Sequence, residues 1–144
     1  MIDPFNAETA IEYDDYKLTP LRTVDPLGNS VTAEIDYRTM QPSLLIDPNG
    51  NSSAVKFDEL GMVVATAIIG KDGEGDTLDD PTTRLEYEFF NWMKPPEQRG
   101  PNYAHTFSRE RHGDENPRWQ ESYPYSDGLG REVMTKVQAE PGMA

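Results

Sequence analysis

The sequence contains no cysteine. That excludes disulfides, thiolate nucleophiles and cysteine-ligated zinc. Histidine is scarce as well, with His105 and His112 the only two. No apolar run approaches the ~18 residues of a membrane-spanning helix, so no direct membrane insertion is expected. The apolar fraction is 35% and the mean hydropathy −0.74, both low for a compact globule. Basic residues are few: 13 Lys and Arg stand against 26 Asp and Glu, a formal net charge of −13. Residues 1–90 hold 18 acidic and 6 basic side chains, and residues 91–144 hold 8 and 7. So acidic a surface repels phosphate backbones and anionic lipid, so no nucleic-acid partner is expected. Residues 1–5 have neither the basic region nor the apolar core of a signal peptide, and none is expected in this chain.

What the chain does have is a repeat with a period of 22 residues. Tyr13 maps to Ile35 and Phe57, and Asp14 to Asp36 and Asp58. Leu18 maps to Met40 and Met62. Asp25-Pro26-Leu27-Gly28-Asn29 maps to Asp47-Pro48-Asn49-Gly50-Asn51. Fixed-period self-similarity marks a repeat architecture, whose units are each too small to bury a core alone. The repeat begins at once, with no capping segment, and arrays of this kind need capped ends. The expectation is a piece of a longer protein.

Each unit reads as strand, turn, strand, turn. Residues 33–37 and 53–58 alternate apolar and polar, the pattern of a half-buried strand. On that pattern Tyr13, Ile35 and Phe57 share one buried side, and the Asp after each begins a turn. In the Asp-Pro-x-Gly-Asn segments, Pro26 and Pro48 fix φ while Gly28 and Gly50 supply positive φ. Residues 62–69 are β-branched and bounded by Gly61 and Gly70, which predicts a strand.

Repeat spacing lapses after residue 70. Residues 71–84 form an acidic loop. Residues 84–92 predict a strand with Leu85, Tyr87 and Phe89 on one face, and residues 94–101 hold three Pro and predict no regular structure. Further strands are predicted near residues 103–111, 119–127 and 132–137, with turns at 114–117 and 128–131. The fold class is therefore all-β, built of antiparallel hairpins in a continuing strip, with regular repeats over 1–70, the loop over 71–84 and degenerate hairpins over 85–144.

Tyr125-Ser126-Asp127-Gly128-Leu129-Gly130-Arg131 restates Phe57-Asp58-Glu59-Leu60-Gly61-Met62. Together with the Asp-Pro-x-Gly-Asn turns, these hairpins resemble the tyrosine–aspartate (YD) repeats of rearrangement-hotspot (RHS) proteins. Across nearly the whole chain the string is similar to the B component of bacterial insecticidal toxin complexes (Tc toxins). The copies are degenerate: Asp36 is followed by Tyr37-Arg38, and Met62 stands where Arg is usual. The resemblance implies a β-sheet strip wound into a hollow shell that, with the C component, encloses a cytotoxic C-terminal segment until delivery through a pore-forming component. It implies partners in other shell segments, a toxin C component and the pore-forming component. It also implies synthesis in the bacterial cytoplasm and secretion as part of the complex. The structural repeat residues are then Tyr13, Asp14, Asp25, Gly28, Ile35, Asp36, Asp47, Gly50, Phe57, Asp58, Asp127, Gly130 and Arg131.

Other chemistry is weighed against this. Asp72, Glu74 and Asp76 place carboxylates at alternate positions, which suits calcium. An EF-hand loop, however, needs Gly at its sixth position and Glu at its twelfth, where Thr77 and Thr83 stand, so a solvated loop is expected. His105 and His112 lack zincin spacing, and Ser108, His105 and Asp114 lack a nucleophile elbow. No segment matches the aspartyl autoprotease of a C component. No catalytic residue and no cofactor is expected, and the chain is read as non-enzymatic. The alternative function is a carbohydrate-binding β module using Tyr87, Phe89, Phe90, Trp92 and Trp119. An acid-catalysed glycoside hydrolase ranks below it, since none of the paired carboxylates stands out as buried.

Overall fold

A computed structural model describes Pro4, residues 7–114 and residues 116–139. Of the opening residues read for a signal peptide, only Pro4 falls within this set, and Glu115 of the expected turn at 114–117 falls outside it. The chain forms two compact units, residues 1–81 and 82–144. The first contains β1 (Ala10–Tyr13), β2 (Pro20–Val24), β3 (Ser30–Asp36), β4 (Gln41–Ile46), β5 (Ser52–Phe57) and β6 (Val63–Ile69). The second contains β7 (Thr83–Glu88), β8 (Asn102–Arg109), β9 (Trp119–Ser126) and β10 (Glu132–Val137). In each unit every strand pairs antiparallel with its chain neighbour. The protein is all-β, and the other regular elements among the described residues are three-residue 3₁₀ turns.

The 22-residue period is visible in the ladders. Register shifts fall between Glu12 and Tyr13, Glu34 and Ile35, and Lys56 and Phe57, one bulge per repeat. Pro20 and Pro42 pair with Tyr13 and Ile35 beside these bulges, where a missing N–H is tolerated. Pro124 is different. It lies inside β9, and the β8–β9 ladder is interrupted between the pairs Tyr103–Tyr125 and Thr106–Ser122.

Each unit is a single layer of strands. The buried apolar side chains among the described residues are Ala54, Ala65 and Ala67, together with Pro81 at the end of the unit. Ala54 and Ala67 are register partners, so they share one face of β5–β6. This corrects one expectation. Tyr13, Ile35 and Phe57 occupy equivalent positions after the bulge, but Tyr13 is 52% exposed while Ile35 and Phe57 are half-buried. Tyr13 lies on β1, which has one neighbouring strand in this unit, and no second layer is there to cover it.

Two further expectations change. The strand read over 84–92 stops at Glu88, because Phe90 N donates to Glu88 Oε1 at 3.0 Å and a 3₁₀ turn, Asn91–Met93, follows. Residues 94–101 are not wholly irregular: Pro96–Gln98 is a 3₁₀ turn, with Pro at a position where its missing N–H costs nothing.

Candidate functional site

The recurring constellation is a turn closed by an aspartate. Four five-residue segments, starting at Asp25, Asp47, Asp58 and Asp127, have the form Asp-x-x-Gly-x and the same geometry. The Asp N–H donates to the carbonyl four residues on at 2.9 Å in all four. The Gly N–H donates back to the Asp carbonyl at 3.0–3.1 Å. The Asp Oδ1 accepts two backbone N–H groups, for instance Leu27 at 2.9 Å and Asn29 at 2.8 Å in the first turn. The other three repeat this pair of bonds. This is a type I turn followed by a left-handed residue, and Gly28 and Gly50 both have φ +88°. Gly61 and Gly130 hold the same place.

The fifth residue sets what happens at Oδ2. Asn29 and Asn51 donate their side-chain amides to it at 2.8 and 3.0 Å. Arg131 donates Nε to Asp127 Oδ2 at 2.8 Å. Met62, in the Asp58 turn, has no donor to offer. The Asn29 amide, against a smaller effect of burial, holds the Asp25 carboxyl below the usual range, and Asn51 does the same to Asp47. The Arg131 N–H and then its side chain lower Asp127.

Asp14 and Asp36 close two related turns. Asp14 is buried, and its Oδ1 accepts Leu18 N at 2.7 Å and Thr19 N at 3.2 Å. Its Oδ2 accepts the Tyr37 hydroxyl at 3.0 Å. Burial raises the Asp14 pKa, but these donors outweigh it and the net shift is downward. The same bond raises Tyr37. Asp36 Oδ1 accepts Arg38 N at 2.8 Å. The turns of 14–19, 37–40 and 58–62 stand at one end of the first sheet. They are cross-linked there: Tyr37 reaches back to Asp14, and Arg38 Nη1 reaches forward to the Glu59 carbonyl at 3.1 Å. Exposed Tyr16, Leu18, Tyr37, Met40 and Leu60 make that end apolar, whereas Leu27 is the large exposed apolar side chain of the turns at the other end. Tyr37 and Arg38 were not singled out as site residues in the sequence. The signal was available, since both follow a repeat Asp.

The second unit carries a different constellation on one face of β7–β10. His105 Nε2 donates to Glu121 Oε2 at 2.9 Å, and Tyr123 Oη donates to the same oxygen at 3.0 Å. His105 lies between the rings of Phe107, 3.8 Å away, and Tyr123, 4.0 Å away. Tyr103 and Tyr125 extend the ring contacts on one side and Trp119 on the other. Arg84 lies over Phe107 at 4.2 Å and Lys136 over Tyr125 at 5.1 Å. Donation from His105 and then Tyr123 holds Glu121 below its usual range, so it is a poor proton donor near neutrality. The trio is a brace.

The remaining candidates are dispersed. Ser108 and His105 are three apart on one strand and project to opposite faces. Asp72 and Glu74 are exposed and Asp76 is buried, and no group of three metal-ligating side chains occurs among the described residues. Of the rings considered for sugar binding, Tyr87 and Phe89 stack on each other at 5.5 Å. Trp119 lies on the opposite face of the sheet, in register with Arg109, and Phe90 and Trp92 lie on a loop. They do not form one platform.

No protein-family model and no curated protein matches the sequence. Solved structures do match. A crystal structure of TcdB2–TccC3–Cdc42 superposes with a TM-score of 0.76 at 16% identity, over 94% of this chain and 10% of that one. The Photorhabdus luminescens Tc holotoxin pore, with a mutant TccC3, gives 0.77 at 17% identity over the same shares. TcdB2–TccC3 without its hypervariable C-terminal region gives 0.73 at 15%, over 92% and 10%. The chain thus spans about a tenth of the length of the chains it matches. The fold is that of a stretch of a TcdB2–TccC3 chain.

Proposed function

We propose that this chain is a structural segment of an RHS-repeat shell in a toxin complex, and that the shell encapsulates a toxic C-terminal polypeptide. The observation that carries the reading is a single layer of antiparallel strands in chain order, four of whose connections share one turn, on a backbone that follows TcdB2–TccC3 over 94% of its length. A single layer buries little by itself and is stabilised by continuing into neighbours, which is how a wall is built. On this reading residues 1–70 are regular YD-type repeats, 71–84 an acidic connection and 85–144 degenerate hairpins. The partners are other shell segments, a C component and a pore-forming component. The role is non-enzymatic, and the chain leaves the cell as part of the assembled complex.

The test is protection from protease. The whole reading frame that encodes this chain is expressed with its C-terminal partner polypeptide and treated with proteinase. A C-terminal polypeptide that survives in the intact complex, and is digested once the complex is unfolded, supports encapsulation. Digestion at the rate of the free polypeptide overturns it.

A further inference from the structure

Two exposed apolar features take no part in the turns or the ring face. The first is convex. The connection 89–101 between β7 and β8 is 13 residues long and carries two 3₁₀ turns, Asn91–Met93 and Pro96–Gln98. Phe90, Trp92 and Met93 are 64%, 60% and 63% exposed on it. The loop is nonetheless braced. Met93 N donates to the Phe90 carbonyl at 2.9 Å, and Asn91 Nδ2 to the Pro101 carbonyl at 3.0 Å. Lys94 Nζ donates to Glu88 at 2.8 Å, and Arg99 Nε to the Lys94 carbonyl at 3.0 Å. A Cβ on Gly100 would lie 2.7 Å from Asn91 Nδ2, so the two limbs of the loop touch. Much of the ordering cost of a contact is thus already met within the fold.

The second feature is concave. A groove of about 280 Å³ lies on β2–β4, lined by Pro20, Leu21, Val31, Ile35, Pro42 and Leu45. Val31 and Leu45 are both exposed.

We propose that the Phe90, Trp92 and Met93 knuckle of one copy seats in the β2–β4 groove of a second copy. Area decides the geometry. Large side chains of this kind present about 150–250 Å² each when free. At three-fifths exposure, three of them bring roughly 400 Å², and with the groove's share the contact totals roughly 800 Å², the range of a weak, transient interface. Knuckle against knuckle would bury less, because both surfaces are convex. Groove against groove would press together two units that each hold 16 acidic and 5 basic residues over 1–81. The knuckle belongs to residues 82–144, with 10 acidic and 8 basic, so it approaches the groove with little repulsion. The contact is therefore heterologous, head to tail, and repeats from copy to copy until it closes on itself or extends as a chain. An anionic lipid surface fits less well, since it would repel so acidic a chain. The inference does not rest on the shell reading.

The test is sedimentation velocity of the whole chain up to high micromolar concentration. Mass should rise with concentration, and more at ~0.15 M than at ~0.01 M salt, because salt screens the net repulsion and leaves the apolar contact intact. Trp92→Ala, or Trp92→Arg as a second knuckle variant, should weaken association at least ~tenfold. Leu45→Glu, or Val31→Glu as a second groove variant, should do the same. Circular dichroism confirms that each variant is folded. The decisive step is mixing. A knuckle variant keeps its groove and a groove variant keeps its knuckle, so equal amounts should form one 1:1 dimer that does not extend. A wild-type chain that stays monomeric, a knuckle variant that associates like wild type, or a mixture that stays monomeric overturns the proposal. So does a blue shift of tryptophan emission, lost in Trp92→Ala, with phosphatidylcholine vesicles but not with rising protein concentration. That outcome makes lipid the occupant.

Discussion

The six strands of residues 1–81 are joined by connections of four to six residues, whereas two of the three connections within residues 82–144 run to 13 and 9. The difference is matched by where the side-chain contacts lie. In the first unit an aspartate stands at 14, 25, 36, 47 and 58, and each binds backbone N–H groups of its own turn. In the second unit the Asp-x-x-Gly-x turn occurs once among the described residues, at Asp127, and the strands are tied by rings and cations across one face. Composition permits this. Residues 82–144 hold 8 of the 13 basic side chains, so Arg84 and Lys136 are there to sit on ring faces. Short uniform turns hold a sheet with little help from its faces, and long connections transfer that task to side chains between strands.

Acid should erase the distinction, and this is the largest effect expected. Asp14, Asp25 and Asp47 in one unit, and Glu88, Glu121 and Asp127 in the other, all have lowered pKa values. Unfolded carboxyls near pH 4 take up protons before the folded ones do, so this stability is present above about pH 4 and lost as pH falls through the lower folded values. The melting temperature should be flat between about pH 8 and 5 and fall below about pH 4. A melting temperature that holds into stronger acid breaks the argument for both units.

Phe107→Ala sharpens the comparison from the side of the second unit. It removes the ring between His105 and Trp119 and the seat of Arg84. For a half-buried ring the loss should be about 2–3 kcal/mol, below the cost of full burial. Amide exchange should rise across residues 82–139 and change little in β1–β4. Gly50→Ala tests the first unit. A side chain at φ +88° costs about 1–2 kcal/mol, with no steric clash to add to it, since the nearest atom to a Cβ there is 3.6 Å away. A Gly50→Ala chain as stable as wild type, by denaturant titration, means that the turn does not set the stability of its sheet. The smallest effect has the opposite sign. Lys17 occupies the place of the turn glycine after Asp14, with its N–H on the Asp14 carbonyl at 2.9 Å and φ +56°. Lys17→Gly should stabilise by about 0.5–1 kcal/mol, the relief of left-handed strain less the added freedom of the unfolded chain.

The strands of the first unit were legible because alternation and Gly-Pro punctuation agree over residues 20–69. The unity of the turns was not. Asp25-Pro26-Leu27-Gly28-Asn29 and Asp58-Glu59-Leu60-Gly61-Met62 read as two motifs, yet they fold identically. The period of the turn is 11 residues, half that of the sequence repeat. Alternate turns lie at opposite ends of the sheet, where one row is apolar and the other polar, so composition recurs only every second turn. The His105, Glu121 and Tyr123 trio was hidden for another reason. Its members lie on two strands, and only the register of β8 with β9 brings them together. The early end of β7 is set by one side-chain bond from Glu88, which no periodicity reports.

The bonds at Asp Oδ1 go to backbone, not to side chains, and this has a consequence for how much sequence the fold demands. In each Asp-x-x-Gly-x turn only the first and fourth residues are specified by the hydrogen bonding. Pro26, Glu59 and Gly128 serve alike at the second place, and Asn29, Met62 and Arg131 at the fifth. Two specified letters in about eleven leave nearly all the text free to vary while the backbone keeps its path. Such a grammar can be shared by two chains whose spelling has little in common, which accounts for a TM-score of 0.76 at 16% identity.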